Sequence, residues 1–167
     1  YDIYNVLETR IYKNEEHTPN SAPTAPINLS SSYDATGITF SWSKSNYDGT
    51  ETPGLGLTYN LVISTTPGGL DILSPMAIRG GANDGNRRVV GTGNTGHRNT
   101  WKIKGLLQGT YYWSVQAIDN SFAGSPFATE QVRYYPLPVE LTSFTAKVIN
   151  KSVKLTWNTA SEVNNYG

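Results

Sequence analysis

The stretch Gly37-Ile38-Thr39-Phe40-Ser41-Trp42-Ser43 alternates strictly between apolar side chains and small polar ones. Successive side chains of a β-strand point to opposite faces, so Ile38, Phe40 and Trp42 share one face and the hydroxyls share the other. The stretch therefore predicts a half-buried strand. It also predicts that other strands cover its apolar face.

Further strand-like segments occur on both sides of this stretch. Gly- and Pro-rich turns separate them, and no window of about 11 residues has the periodicity of a helix. We therefore predict an all-β fold, a two-sheet sandwich with flanking strand segments. The other predicted strands are Ile27–Ser30, Leu57–Ile63, Trp101–Lys104, Gly109–Ala117 and Ala128–Tyr135.

The same alternation predicts which side chains form the core. Trp42 and Trp113 are expected to be buried on facing sheets. In the last strand, Val132 and Tyr134 are the expected inward pair, which leaves Tyr135 pointing outward. The remaining expected core residues are Ile38, Phe40, Tyr59, Leu61, Ile63, Tyr111, Val115 and Ala117.

Composition and charge argue against several classes of partner. Thirteen basic and thirteen acidic residues give a net charge of zero, so no nucleic-acid partner is expected. No apolar run approaches the roughly 18–20 residues of a spanning helix, so no membrane insertion is expected. The absence of cysteine excludes disulfides, thiolate metal sites and cysteine nucleophiles.

The distribution of proline predicts a domain boundary near residue 20. Three prolines and several small polar residues between residues 19 and 26 are typical of an extended linker. We predict that residues 1–20 are the end of a preceding module with its linker. Residues 21–136 form the sandwich, and residues 137–167 form the first two strands of a second, truncated sandwich module.

An internal repeat supports this second module. Apolar positions of the first two predicted strands recur 115 residues later, with polar residues between them in both copies. Two strands alone cannot bury a core, so we predict that their apolar face and the strand-like segment around Ile11 and Tyr12 pair with other chains. The alternative is that the remainder of a longer parent protein covers both segments. The matched residues are Leu29 with Phe144, Ile38 with Val153, Phe40 with Leu155, and Trp42 with Trp157.

Two of these segments resemble the fibronectin type III family. The pattern Ile38-x-Phe40-x-Trp42 is similar to that family's second strand, and residues 107–117 are similar to its sixth strand. The resemblance covers about residues 24–136. It implies a fibronectin type III/immunoglobulin-like sandwich in which Trp42 anchors the core and Tyr111 forms a tyrosine corner.

Two shorter resemblances concern the ends of the chain. Residues 9–14 resemble the closing strand of the FG-GAP (VCBS-type) propeller repeats of secreted bacterial proteins. Residues 136–144 resemble the stretch that opens a terminal module in large secreted bacterial surface proteins. Together they imply an extracellular or cell-surface location.

Two groups of residues are candidates for binding a ligand. The glycine-rich stretch Ser74–Asn99 holds four of the six arginines, which could bind the carboxylates or sulfates of an acidic polysaccharide. The alternative is a solvated insertion that packs by its own turns. The outward tyrosines, Tyr112 and Tyr135, could stack on sugar rings or on another chain, or simply pair across the sheet. The four arginines are Arg79, Arg87, Arg88 and Arg98.

No catalytic, metal or cofactor site is predicted. Asp48, Glu51, Asp84 and Asp119 lie in turns without the spacing of a calcium loop. The two histidines have no partner pattern for zinc or for a serine triad. An enzyme is therefore not expected.

The expected function is a non-catalytic structural or adhesive module of a secreted surface protein. Such a module could be a filament subunit assembled by strand addition, with neighbouring copies as partners. The alternative is a carbohydrate-binding accessory domain of a secreted enzyme, with an extracellular polysaccharide as its ligand.

Overall fold

The computed structural model describes residues 20–45, 53–136 and 141–159. The candidate assembly residues Ile11 and Tyr12 lie outside these ranges. Within them the fold is all-β, with one short 3-10 turn at Gly81–Asn83. The eight strands are β1 (Ile27–Asp34), β2 (Gly37–Ser43), β3 (Thr58–Ser64), β4 (Thr100–Lys104), β5 (Gly109–Ile118), β6 (Gln131–Tyr135), β7 (Leu141–Ile149) and β8 (Ser152–Thr159).

The first six strands form a sandwich of two antiparallel sheets. One sheet has the order β1-β2-β4 and the other has the order β3-β5-β6. The apolar faces of both sheets contribute to one continuous core between them. The predicted two-sheet sandwich is confirmed, although β1 continues four residues beyond its predicted end at Ser30.

The core has the composition that the alternation predicts. Trp42 on β2 and Trp113 on β5 lie on opposite sheets with 3% and 0% of their surface exposed. The Phe40 ring lies 4.9 Å from that of Trp113, and the Trp42 ring lies 5.8 Å from that of Tyr59. The other core residues predicted from β1 to β5 are also buried. They are Ile38, Phe40, Tyr59, Leu61, Ile63, Tyr111, Val115 and Ala117.

The prediction for the last strand is wrong. Val132 and Tyr134 are exposed, whereas Tyr135 is 4% exposed and belongs to the core. Arg133 and Tyr135 instead point inward and donate hydrogen bonds to backbone oxygens of β1, those of Ser31 and Asp34. Because side chains alternate with a period of two, a shift of one residue exchanges the two faces of the strand.

A hydrogen bond at the start of β5 matches the tyrosine-corner prediction. The Tyr111 hydroxyl donates to the backbone oxygen of Leu107, four residues earlier, at 2.7 Å. A tyrosine corner has this kind of contact, in which the hydroxyl bonds to the backbone a few residues upstream. The contact fixes the connection between β4 and β5 on the rim of the core.

The last two strands form a separate two-stranded sheet, the β7–β8 hairpin. Its register repeats that of β1–β2 with the offset of 115 residues: Asp34 pairs with Gly37, and Ile149 pairs with Ser152. The repeat found in the sequence is therefore a repeat of structure in these strands. The other matched pairs are Tyr33–Ile38 with Val148–Val153, Ser32–Thr39 with Lys147–Lys154, and Ser31–Phe40 with Ala146–Leu155.

Candidate functional site

Part of the arginine-containing stretch runs along the open edge of β3. The Tyr59 backbone N–H donates to the Gly96 oxygen at 2.9 Å, and the Thr95 N–H donates to the Tyr59 oxygen at 3.1 Å. Farther along the edge, Ile63 and Leu73 form an antiparallel bridge. These contacts occupy backbone groups that an edge strand would otherwise offer to another chain.

The Asn94 side chain completes this protection between the two bridged positions. Its Oδ1 accepts the Leu61 backbone N–H at 2.9 Å, and its Nδ2 donates to the Leu61 backbone oxygen at 2.7 Å. One side-chain amide thus satisfies both backbone groups of Leu61, as a neighbouring strand would. We call these contacts, with those of Tyr59 and Ile63, the β3 edge cover.

A pair of buried amides joins the same stretch to the outer face of β3 and β5. Asn60 Nδ2 donates to Gln116 Oε1 at 3.1 Å and to the Pro75 oxygen at 2.7 Å. Gln116 Nε2 in turn donates to the backbone oxygens of Gly85 and Ser125. Every residue of β3 is consequently buried on both faces.

Arg79 forms an internal ion pair. Arg79 Nη2 lies 3.0 Å from Glu130 Oε2, and the Arg79 side chain is only 10% exposed. Its guanidinium also lies 5.3 Å from the centre of the Phe127 ring. Arg79 therefore anchors the stretch to the segment before β6, and its charge is already paired.

The other three candidate arginines have separate surroundings. Arg87 donates to the backbone oxygens of Val89 and Gly91, and burial lowers the pKa of its guanidinium. Arg88 is exposed, and the Arg98 guanidinium lies 5.4 Å from the centre of the Trp101 ring. The structure thus gives Arg79, Arg87 and Arg98 separate contacts, and Arg79 and Arg98 line different clefts.

The acidic turn residues hold backbone groups in place. Asp84 accepts the backbone N–H of Gly80 at 2.6 Å and that of Phe127 at 2.8 Å. Asp119 accepts the backbone N–H of Ala123 at 2.8 Å. Among the described residues, no three His, Asp or Glu side chains cluster as metal ligands would. Asp48 and Glu51 lie outside those residues.

Asp71 is a carboxylate whose pKa is clearly lowered. Hydrogen bonds from the side chain of Ser64, then from the side chain and N–H of Thr65, lower the pKa of Asp71 from 3.8 to about 2. The contacts stabilise the ionised carboxylate because each partner donates to it. Asp34, which bonds to Lys102 and Thr36, has its pKa held well below the usual range in the same way.

An open groove lies at the start of β5, beside the loop that precedes this strand. It has a volume of about 500 Å³, and its lining includes Ile72, Leu107, Gln108, Thr110 and Tyr112. We call it the tyrosine groove. The described part of its lining has aromatic, aliphatic, hydroxyl and amide groups and no charged side chain.

A second tyrosine borders this groove. Gln108 Nε2 donates to the Tyr134 hydroxyl at 2.7 Å, which links Tyr134 to the groove lining. Tyr112 lies opposite Val132 across the β5–β6 ladder, and Thr110 lies opposite Tyr134. Tyr112 and Tyr134 are therefore diagonal neighbours on the outer face, about 7–8 Å apart at the backbone.

The outcome for the predicted aromatic site is thus mixed. Tyr112 faces outward as expected, whereas Tyr135 is in the core and Tyr134 takes the outward position. Sequence analysis also missed Gln108 and Leu107, because a loop between strands has no periodicity to predict where its side chains point. The alternation of β5 was the one signal that located part of this site.

The four predicted assembly residues of the β7–β8 hairpin lie on one exposed face. Phe144 pairs with Trp157, and Val148 pairs with Val153. Leu155 lies midway between Val153 and Trp157 on β8, so its side chain is on the same side of the sheet. In an antiparallel ladder, residues that face each other share a side of the sheet. Among the described residues, no strand outside the hairpin pairs with β7 or β8.

Comparisons with known proteins leave the family of the chain open, because no protein-family model and no curated protein matches it. Within residues 20–45, 53–136 and 141–159, no helix has the length and hydropathy needed to cross a membrane.

Proposed function

We propose that this chain is a non-catalytic structural or adhesive module of a secreted bacterial surface protein, located outside the cell or on its surface. The observation that carries the proposal is a packed sandwich combined with a hairpin whose apolar face is exposed. The resemblances of residues 9–14 and 136–144 to secreted proteins support the location. The Tyr111–Leu107 hydrogen bond and the buried Trp42 support a fibronectin type III-like assignment for residues 21–136.

In this proposal the β7–β8 hairpin assembles with a second copy of the chain. A two-stranded sheet is marginal in water, and burial of apolar surface contributes about 25 cal/mol per Å². The hairpin matches β1–β2 in register, and in the sandwich a second sheet covers the apolar face of β1–β2. Strands of a neighbouring chain would cover the hairpin in a similar way, and a repeated head-to-tail contact would build a filament.

Light scattering of the full chain after size-exclusion chromatography tests this assembly. We expect the mean mass to rise with protein concentration, and electron microscopy to show filaments at the highest concentration. The double variant Leu155→Ser, Trp157→Ser should remain monomeric because it loses half of the apolar face. Val90→Ser, which alters a highly exposed valine elsewhere, is the matched control and should assemble normally. A wild-type chain that is monomeric at every concentration would contradict the assembly proposal.

A carbohydrate-binding accessory domain is the second candidate function. The tyrosine groove favours it, because an aromatic ring and neutral polar groups line one open cleft. The arginine-containing stretch gives it less support, since Arg79 is paired with Glu130, and Arg87 and Arg98 have separate contacts.

A further inference from the structure

We infer that the tyrosine groove binds a neutral polysaccharide, with Tyr112 and Tyr134 as the stacking platform and Gln108 as the polar group that orients it. This inference deepens the adhesive part of the proposed function and rests on it. It concerns a surface of the sandwich and is independent of the β7–β8 hairpin.

The charge of the lining determines the class of ligand. Among the residues that the structure describes, no Asp, Glu, Lys, Arg or His side chain lines the tyrosine groove. An acidic polysaccharide would bring carboxylates or sulfates into a cleft without a cation to pair them, at a cost in desolvation. A neutral ligand has no such cost.

The chemistry of the lining favours a sugar over a purely apolar ligand. Tyr112 contributes an aromatic ring to the lining, to which the exposed Leu107 and Ile72 add apolar surface. Gln108 and Thr110 offer amide and hydroxyl groups in the same cleft. Pyranose rings have both an apolar C–H face and a rim of hydroxyls, so they can satisfy both kinds of lining group. An aliphatic chain would leave the polar groups unpaired.

The two rings are held in place before any ligand arrives. Tyr112 belongs to β5, which is paired on both sides by β3 and β6. Tyr134 is on β6, and its hydroxyl accepts a hydrogen bond from Gln108. A hydroxyl that accepts from Gln108 keeps its own proton, which it can donate to a sugar oxygen. Side chains that are ordered in advance lose less entropy on binding.

Tyr33 supplies a matched control for this platform. It is 51% exposed, and Tyr134 is 52% exposed, but Tyr33 lies on β1 of the opposite sheet. The Tyr33 ring contacts Tyr135 edge-on at 6.1 Å, whereas the Tyr134 hydroxyl bonds to Gln108 in the groove lining. Replacing each tyrosine by alanine therefore removes a ring of similar exposure from two different surfaces.

The test is affinity electrophoresis of the full chain in gels that contain β-glucan, mannan, galactan or xylan, with alginate and pectin as acidic probes. At least one neutral polysaccharide should retard the wild-type chain. Tyr112→Ala and Tyr134→Ala should each weaken that binding by about tenfold or more, as expected for a buried aromatic anchor. Gln108→Ala should weaken it less, and Tyr33→Ala should bind as the wild type does. Circular dichroism and melting curves would show that each variant is folded.

Three outcomes would overturn the inference: no neutral polysaccharide binds, binding survives the double Tyr112→Ala, Tyr134→Ala change, or Tyr33→Ala weakens binding equally. Light scattering of the same samples separates this inference from the assembly proposal. A chain that assembles without binding any neutral polysaccharide contradicts the groove alone. A chain that binds while monomeric contradicts the assembly alone.

Discussion

The β1–β2 pair and the β7–β8 hairpin share an apolar pattern and a register, yet their second strands, β2 and β8, differ sharply in burial. Trp42 is 3% exposed, and Trp157, which occupies the equivalent position, is 59% exposed. Ile38 and Phe40 are fully buried, whereas their counterparts Val153 and Leu155 are exposed.

The difference between the two hairpins lies in what covers them. The β3-β5-β6 sheet packs against the apolar face of β1–β2, and it brings Trp113 and Tyr59 against Phe40 and Trp42. The described part of the chain has no second sheet on β7–β8. Alternation of side chains is thus sufficient for pairing two strands, whereas burial needs a complementary sheet.

The largest expected contrast comes from replacing the equivalent tryptophans. Trp42→Ala should destabilise the sandwich by about 3–5 kcal/mol, because it loses transfer free energy and leaves a cavity among close-packed rings. Trp157→Ala should change the free energy of unfolding by no more than about 0.5 kcal/mol in the monomeric chain, as is usual for exposed positions. Urea unfolding of both variants measures the change in the free energy of unfolding. An equally large loss for Trp157→Ala would mean that the hairpin is covered in solution.

A smaller loss of stability is expected at the β3 edge cover. The cover protects the edge of β3, whereas no strand in the described residues pairs with the edges of the β7–β8 hairpin. Asn94→Ala removes the acceptor and the donor for Leu61, at an expected cost of about 1–2 kcal/mol for two hydrogen bonds. Asn86→Ala is the control, because within the described part of the chain the exposed Asn86 side chain bonds only to Asn83, at 3.4 Å. Urea unfolding gives the free energies. Equal stability of the two variants would show that the amide does not support this edge.

The smallest expected effect is a pH dependence of folding stability, which the sandwich should have and the β7–β8 hairpin should lack. The pKa of Asp71 is lowered from 3.8 to about 2, so its ionised form stabilises the folded state above pH 4. That contribution is lost as the pH falls through 2. In Asp71→Asn, part of the loss of sandwich stability between pH 4 and pH 2 should disappear. Residues 141–159 have no acidic side chain, so the hairpin should lack this dependence.

Thermal melts followed at several pH values would measure the Asp71 effect. Asp84→Asn serves as a comparison, since Asp84 bonds to backbone N–H groups in a different turn. Identical pH profiles for the wild type and Asp71→Asn would contradict the assigned cause. No metal is involved in this prediction, so EDTA should leave each profile unchanged.

Much of the fold and a smaller part of the candidate site could be predicted from the sequence. The strict alternation around Phe40 and Trp113 identified the strands and the core, because each strand has one face on the core. The β6 strand was assigned the wrong face, since Val132, Tyr134 and Tyr135 are all compatible with burial by composition. Its orientation depends on Arg133, which bonds to β1, a strand about 100 residues away in sequence.

The arginine-containing stretch is a longer segment whose contacts could not be predicted from the sequence. Its glycines predicted an irregular segment correctly, but they gave no sign that Asn94 would occupy the edge of β3. Gly93 approaches the Tyr59 backbone so closely that a Cβ atom would lie 2.1 Å from the Tyr59 oxygen. Such contacts join positions distant in sequence, and no local pattern encodes them.

The sequence by itself determined the strands, the two-residue alternation and the repeat at an offset of 115 residues, because these depend on neighbours along the chain. Only the tertiary structure decided which hairpin is buried, which face of β6 points inward and which tyrosine bonds to Gln108. Those outcomes depend on how one sheet meets another and on where loops cross an edge. The physical reason is that burial and hydrogen bonding between distant segments are properties of the packed pair, whereas strand formation is mainly a property of each segment.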